Sequence, residues 1–383
     1  MKIVDVCPFY TPAGGGVRTY VDQKLAIGPR LGHEIVVLAP GAAHRVERRG
    51  PHARIVYLPA PRLPLDRRYR YFLDDGSVQA ALDREAPDFV EASSPWRSAE
   101  TVAHWRGSAP RALVMHADPL ASYAYRWFGM VARREWIDRT FGFYWRHLQR
   151  LDARFDAVIA ANASLTQRLR DGGLSGVSTN PMGVAPDTFS PNLRDEALRA
   201  ELLRRCGLTP QARLLIGIGR HAPEKRWPMV IDACVAAGRE RDLGLVLIGD
   251  GRERRRIVDH IGGNPHIQLL APLRDRGQFA RLLASADALV HGCESETFCM
   301  VGAEAAASGL AIVAPDEGGA ASFAAAYGAR FRVGDANAAA RAIDRVLGSR
   351  PPLHALPGPV RTMVDHFDQL FRHYETLTRA RAA

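Results

Sequence analysis

Short apolar runs, each closed by glycine, proline or a polar turn, alternate along this chain with longer stretches in which apolar residues recur at steps of three and four. The runs read as β-strands and the stepped stretches as amphipathic helices. In the first half the strand candidates are KIVDV (2–6), EIVVLA (34–39), RIVYL (54–58), DFVEA (88–92), ALVMH (112–116) and AVIAA (157–161). In the second they are RLLIGIG (213–219), GLVLIG (244–249), IQLLA (267–271), ALVHG (288–292) and LAIVAP (310–315). Regular alternation of strand and helix is the sequence form of an α/β protein with parallel sheets. The rhythm restarts after NPMGVAPDTFSPNLRDE (180–196), a stretch rich in proline and turn formers that marks the domain boundary. From Val360 onward, Met363, Val364, Phe367, Leu370, Phe371, Tyr374 and Leu377 outline a last helix with one buried stripe.

A length of 383 residues exceeds one ordinary core and suits two domains. Two Rossmann-like halves facing each other across a cleft, 1–185 and 186–358, are the natural architecture, because open parallel sheets bind ligands at the carboxyl ends of their strands. Hydrophobic residues at 47% and charged residues at 24% are ordinary for a soluble globular protein. No run approaches the roughly 20 apolar residues that span a bilayer. The start lacks the longer apolar segment of a signal peptide, so a cytoplasmic protein is expected. Cys7, Cys206, Cys234, Cys293 and Cys299 form no C-x-x-C pair and read as buried free thiols. The formal charge of +10 points to an acidic partner, such as nucleic acid, anionic lipid or a phosphorylated ligand, without choosing among them. Lysine occurs only at Lys2, Lys24 and Lys225, so Lys225 stands out against an arginine-rich background.

The stretch ESETFCMVGAEAAASG (294–309) holds Glu296 and Glu304 eight positions apart. On one helix they would point about 80° apart, since each residue advances the helix by roughly 100°. With ALVHG as a strand, CESET becomes the loop at its carboxyl end, and a helix begins near Phe298 and stops at Gly309. Glu296 then lies in the loop and Glu304 in the helix, and both can reach one cleft to accept hydrogen bonds from a hydroxyl-rich ligand. Amides of Phe298, Cys299 and Met300 at the helix start add donors for sugar hydroxyls or phosphate oxygens. A dipole-favoured acidic residue and a solvated surface glutamate account for the same pattern.

GIGRHAPEKRWP (217–228) ends another strand with Arg220 and Lys225 before a helix. Two cations there suit a pyrophosphate, Arg220 binding bidentately and Lys225 acting as a point charge; solvated loop charges are the bland alternative. The segment matches neither the dinucleotide fingerprint nor a Walker loop. Gly14, Gly15 and Gly16 separate the first strand from the first helix, where glycine allows close backbone approach to a ligand or simply makes a turn. His116 ends a first-domain strand, as a sugar contact, a proton shuttle or a structural histidine. LIGDG (247–251) is a further strand-to-loop turn whose glycines leave room for a base or ribose.

Taken together these segments resemble the retaining glycosyltransferases of family four, which have the GT-B fold. The resemblance is carried by the E-x7-E spacing of Glu296 and Glu304, the G-R-x4-K element GRHAPEK, the loop GGGVRTY, the approach LLASADALVHGCESETF and the linker-like NPMGVAPDTFSP. It covers nearly the whole chain and is strongest from 213 to 315. It implies that the final helix, 359–383, crosses back towards the N-terminal domain. It implies a nucleotide diphosphate sugar, UDP- or GDP-linked, as donor, and a glycan or lipid-linked acceptor in bacterial envelope or exopolysaccharide synthesis. Arg220 and Lys225 would hold the pyrophosphate and neutralise the leaving group. Glu296 would bind donor-sugar hydroxyls with the amides of Phe298, Cys299 and Met300, Glu304 the ribose, and His116 the sugar near its transferring carbon. Gly15 and Gly16 would close over the phosphates, Gly219 and Gly251 would belong to the donor site, and the base would meet backbone near Leu273 and Arg274.

No D-x-D triplet is present, so a metal-independent enzyme without a cofactor is expected. Two departures stand out: Cys299 occupies a position where many members have glycine, and AASFA follows DEGG (316–319) where a glutamate is usual. The aromatic and arginine-rich stretch SYAYRWFGMVARREWIDRTFGFYWRHLQR (122–150) suits either an interfacial helix against an anionic membrane or an ordinary core helix with solvated arginines. Rival readings are another GT-B enzyme, a nucleotide-sugar epimerase or a phosphorylase, and a basic nucleic-acid-binding protein. The last lacks any recognised module, so no nucleic-acid partner is expected.

Overall fold

The computed structural model describes residues 1–11, 15–64, 69–116, 118, 120–125, 133–348 and 360–382. The chain forms two compact units, one of Met1–Met182 with Met363–Ala383 and one of Gly183–Thr362.

The first unit holds an eight-stranded sheet of β1 (Lys2–Val6), β2 (Glu34–Gly41), β3 (Arg45–Gly50), β4 (Ala53–Pro59), β5 (Phe89–Ala92), β6 (Arg111–Met115), β7 (Ala157–Ala160) and β8 (Val177–Thr179), in the order β3-β4-β2-β1-β5-β6-β7-β8. Every pairing is parallel except β3 with β4. The central strands are buried on both faces, as near-continuous apolar runs such as EIVVLA require. The edge strand β3 reads RVERRG and is largely exposed, so its charges defend the sheet edge.

The last helix, Met363–Ala382, belongs to this unit and turns Met363, Phe367, Leu370, Phe371 and Tyr374 inward. Tyr374 stacks on Phe89 with ring centroids 3.9 Å apart. Beneath it lies a fully buried polar cluster. Lys24 Nζ donates to Asp5 Oδ2 at 2.7 Å and Glu91 Oε1 at 2.5 Å, and Ser93 Oγ donates to Asp5 Oδ1 at 2.7 Å. One ammonium thus faces two carboxylates, and burial followed by the Asp5 charge, against the pull of Lys24, lifts the Glu91 carboxyl to about 7.

The second unit holds β9 (Arg213–Ile218), β10 (Leu243–Ile248), β11 (Ile267–Leu270), β12 (Ala288–Val290), β13 (Ala311–Pro315) and β14 (Gly328–Phe331), all parallel, in the order β11-β10-β9-β12-β13-β14. Two apolar clusters cover its faces, one around Leu214, Ile216 and Leu289 and one around Leu215, Trp227 and Val290. Among the described residues no helix is long and apolar enough to cross a membrane.

Candidate active site

The strand order of the second sheet reverses between β9 and β12, so the loops leaving their carboxyl ends emerge side by side. After β9 the chain turns at Gly219, whose φ is 154°. A Cβ at Gly249 would lie 1.9 Å from the Gly219 carbonyl oxygen, and one at Gly251 would lie 2.5 Å from that of His221, so glycine lets the ends of β9 and β10 touch. The Trp227 indole donates to the Arg220 carbonyl at 2.9 Å and the His221 amide to that of Asp250 at 2.9 Å, which pins the loop. Arg226 closes it in a left-handed conformation, φ 49°, and the helix Trp227–Ala237 begins.

Within this frame the Lys225 ammonium donates to Glu296 Oε1. The lysine side chain is 12% exposed and the carboxylate 26%. Burial works to raise the Glu296 carboxyl, but Lys225, with smaller contributions from His291 and Arg220, overcomes it and holds the group at about 2. Burial likewise opposes the Lys225 charge, and Glu296 overcomes that, holding the ammonium well above its usual range. Next to the pair, the fully buried His291 sets Nε2 3.7 Å from Glu296 Oε1. Burial first and Lys225 second push its imidazole down to about 4, and neither ring nitrogen has a hydrogen-bond partner. Arg226 grips Glu294 through two hydrogen bonds, the Nε one at 2.8 Å to Oε2.

The loop that carries these carboxylates rests on Gly318 and Gly319. A Cβ at Gly318, φ 75°, would lie 2.2 Å from the Glu294 carbonyl oxygen, and one at Gly319 would lie 2.7 Å from Phe298 backbone. The Gly319 amide donates to the Glu296 carbonyl at 2.6 Å. His291, Cys293 and Glu296 bring potential metal-ligand atoms within 4.8 Å of one another. The Lys225 ammonium already sits on the Glu296 carboxylate and opposes a second cation there.

A cation–carboxylate pair at a sheet switch point has the chemistry to meet phosphates and hydroxyls; comparison with known proteins shows the family. The model of Glycosyltransferase Family 4 matches residues 14–188, and that of Glycosyl transferases group 1 matches residues 200–356. The GDP-mannose-dependent alpha-(1-6)-phosphatidylinositol dimannoside mannosyltransferase of Mycobacterium tuberculosis (strain ATCC 25177 / H37Ra) is 30% identical over 317 residues, 82% of this chain and 79% of that one. The chain belongs to glycosyltransferase family 4. A GDP-mannose-dependent alpha-mannosyltransferase of M. tuberculosis (strain CDC 1551 / Oshkosh) is 29% identical over 325 residues, 83% of this chain and 80% of that one. The sucrose-phosphate synthase of Thermosynechococcus elongatus, 18% identical, superposes with a TM-score of 0.72 over 99% of this chain and 97% of that one, a likeness of fold. The fold is GT-B.

Other expected site residues of this glycosyltransferase take varied positions. Arg220 is 60% exposed and meets Glu224 Oε1 at 3.1 Å. Glu304 is buried, and its Oε1 accepts from Arg276 Nη2 at 2.6 Å; burial raises its carboxyl, against that pairing. Arg276 in turn lies over the rings of Phe189 and Phe279 at 5.0 and 5.2 Å. The helix expected from Phe298 starts instead at Met300, because Cys299 takes a left-handed φ of 71° and caps it. Phe298 is therefore outside the helix, packed edge-on to Phe323 at 5.4 Å, and the Gly302 amide donates to the Cys299 carbonyl at 2.9 Å. Leu273 packs on the core and Arg274 is exposed, both just ahead of the helix Arg276–Ser285.

In the first unit Gly15 caps the helix Gly16–Ile27, and open space surrounds the Cβ position of both glycines; Gly14 lies outside the described residues. His116 follows β6, with Nε2 3.3 Å from Ser93 Oγ and its ring edge-on to Tyr20 at 4.7 Å. Burial and the nearby Lys24 push its imidazole to about 4. Sequence reasoning passed over Arg226, Glu294, His291 and Arg276. The adjacency of Arg226 to Lys225, and of Glu294 to Glu296, was the available signal.

Proposed function

We propose that this glycosyltransferase moves a mannosyl group from GDP-mannose to a glycan or lipid-linked acceptor, with retention of configuration and without a metal ion. The observation that carries the reading is the Lys225–Glu296 pair at the switch point, with Arg220 beside it on the same loop. The names of the two mycobacterial relatives, both GDP-mannose-dependent, support the choice of donor.

The pyrophosphate gains charge as the glycosidic bond breaks, and Lys225 and Arg220 supply fixed positive charge where that happens. An ammonium has three donors, so Lys225 can keep Glu296 while donating to a phosphate oxygen. Glu296, held ionised, accepts from sugar hydroxyls; these cations take the place a divalent metal fills in other transferases. The acceptor hydroxyl attacks the anomeric carbon on the face the phosphate leaves, and its proton passes to a donor phosphate oxygen. Exposed Trp136 and Phe143, set among exposed Arg133, Arg139 and Arg146, support a peripheral contact with an anionic membrane. Residues 126–132 of that stretch lie outside the described residues.

The test is calorimetric titration with GDP, UDP and ADP in EDTA, followed by turnover of GDP-mannose with and without acceptor. Binding of GDP alone, and donor consumption that needs acceptor, is the expected result. Absence of nucleotide binding until a metal is added overturns the metal-free reading. Isomerisation of the donor without acceptor indicates an epimerase, and a requirement for inorganic phosphate a phosphorylase.

A further inference from the structure

His291 follows β12 and is fully buried, yet neither of its ring nitrogens has a hydrogen-bond partner. The strand itself reads ALV, and a fourth apolar residue would fill the same place without stranding a polar group. An imidazole kept there calls for a partner in another state of the site. Cys293 Sγ is close by but engaged with Ser295 Oγ at 3.2 Å. Glu296 Oε1 lies 3.7 Å from Nε2, and the Lys225 ammonium holds that oxygen. We propose that His291 is a positioning residue for Glu296: its Nε2–H donates to the carboxylate when a phosphate draws the Lys225 ammonium towards itself.

The geometry is poised for that exchange. The His291 amide donates to the Val313 carbonyl at 2.8 Å, which fixes the residue on the sheet. The next residue locks it against the cationic loop, because a Cβ at Gly292 would lie 2.7 Å from the Lys225 carbonyl oxygen and 2.9 Å from Val230 Cγ2. The Glu296 backbone is held as well, its carbonyl accepting from the Gly319 amide at 2.6 Å. What is left to move is the ends of two side chains, Lys225 and Glu296. A shift of roughly 0.7 Å brings Nε2 and Oε1 to an ordinary hydrogen-bond length.

The two groups that face the carboxylate differ in kind. The ammonium is attracted by any anion that enters, whereas the imidazole, kept neutral by burial and by Lys225, is not. A neutral imidazole has one N–H, and on Nε2 that proton serves Glu296 without competing for the phosphate. Glu296 thereby keeps a donor while it meets a sugar hydroxyl, and a part-buried carboxylate short of donors is costly. This inference rests on the donor-site reading of the Lys225–Glu296 pair and concerns what the pair does once phosphate arrives.

The full chain, labelled with ¹⁵N in its histidine rings, is titrated with GDP, and the His291 signals are assigned by their loss in His291→Gln. With saturating GDP the His291 Nε2 resonance, protonated throughout, should move in the wild type and stay in Glu296→Ala. In calorimetry His291→Leu should weaken GDP-mannose binding at least about tenfold, as loss of a hydrogen bond to a charged group implies. GDP affinity should stay unchanged, because GDP lacks the sugar that Glu296 holds. His291→Gln, whose amide nitrogen falls near the Nε2 position, should restore most of the loss. The melting temperature of ligand-free His291→Leu should not fall, since no hydrogen bond of the free fold is removed. A merely structural histidine would instead lose stability and GDP affinity together. A ring protonated on Nδ1, an Nε2 resonance indifferent to bound GDP, or wild-type GDP-mannose affinity in His291→Leu overturns the proposal and leaves the donor reading standing. Absence of GDP binding defeats both. The wild-type titration and His291→Gln remain decisive if His291→Leu unfolds.

Discussion

The Tyr374 hydroxyl donates to Glu91 Oε2 at 3.1 Å, joining the last helix of the chain to a buried carboxylate of the first sheet. Both side chains are fully buried. Tyr374→Phe keeps the ring on Phe89 and removes only the donor, so it isolates that bond. We expect a loss of about 1–3 kcal/mol in urea unfolding, the cost of leaving a buried acceptor short of a partner. An unchanged midpoint would show that Lys24 alone satisfies Glu91.

The same carboxylate gives the stability a pH dependence of definite sign. Its folded value of about 7 lies above the ordinary 4.5, so between those values the folded chain holds a proton that the unfolded chain has released. Stability therefore falls as pH rises through this window. His116 and His291, lowered from 6.5 to about 4, act in the opposite direction, since there the unfolded chain binds more protons. The contribution of Glu91 is read as the difference in melting temperature between wild type and Glu91→Gln, which should move against the wild type with rising pH. A difference that does not vary with pH would remove the surplus-carboxylate account of the cluster.

At the proposed donor site, Lys225→Ala and Glu296→Ala should each lower turnover on the order of a hundredfold or more, as loss of a transition-state donor does elsewhere. Because the two side chains bond to each other, the double variant should lose much less than the product of the single effects. Steady-state kinetics of the four proteins measures this. Wild-type rates in either single variant would sink the assignment, and full additivity would deny the coupling.

Gly319→Ala probes the platform beneath Glu296. Its Cβ would lie 2.7 to 2.8 Å from backbone atoms of Phe298, which cannot turn aside as a side chain could. The loop 294–298 must shift, and we expect destabilisation of about 1–3 kcal/mol together with weaker nucleotide binding. Gly15→Ala is the contrast: nothing lies within 4 Å of its Cβ position, so the fold should be indifferent while any effect on donor affinity reports the ligand.

Strands buried on both faces were legible because such strands read as unbroken apolar runs; β1 matches its expected span. β3 escaped notice because its RVERRG faces solvent and draws its structure from pairing with β4, a tertiary fact. β8 (VST) and β14 (GARF) each bury a single residue fully, so neither forms the apolar run that marks the other short strands. The Lys225 and Glu296 positions followed from spacing within a known motif, yet their bond, like that of Arg276 with Glu304, joins residues far apart in sequence. The two-residue error at the start of the helix Met300–Ala307 has a single cause, the left-handed Cys299, which no propensity argument assigns to a cysteine.

The chain leaves the first unit after Met182 and returns to it at Met363, the exit and re-entry tied by the Val184–Thr362 bridge. The second unit is thus an insertion, while the first is assembled from residues made before it and after it. During synthesis the Gly183–Thr362 unit can finish folding while its neighbour still lacks a helix. Phe89 and the Lys24–Asp5–Glu91 cluster wait uncovered until Phe367, Phe371 and Tyr374 leave the ribosome. A nascent chain stalled short of that point should be trimmed by protease in its earlier half first.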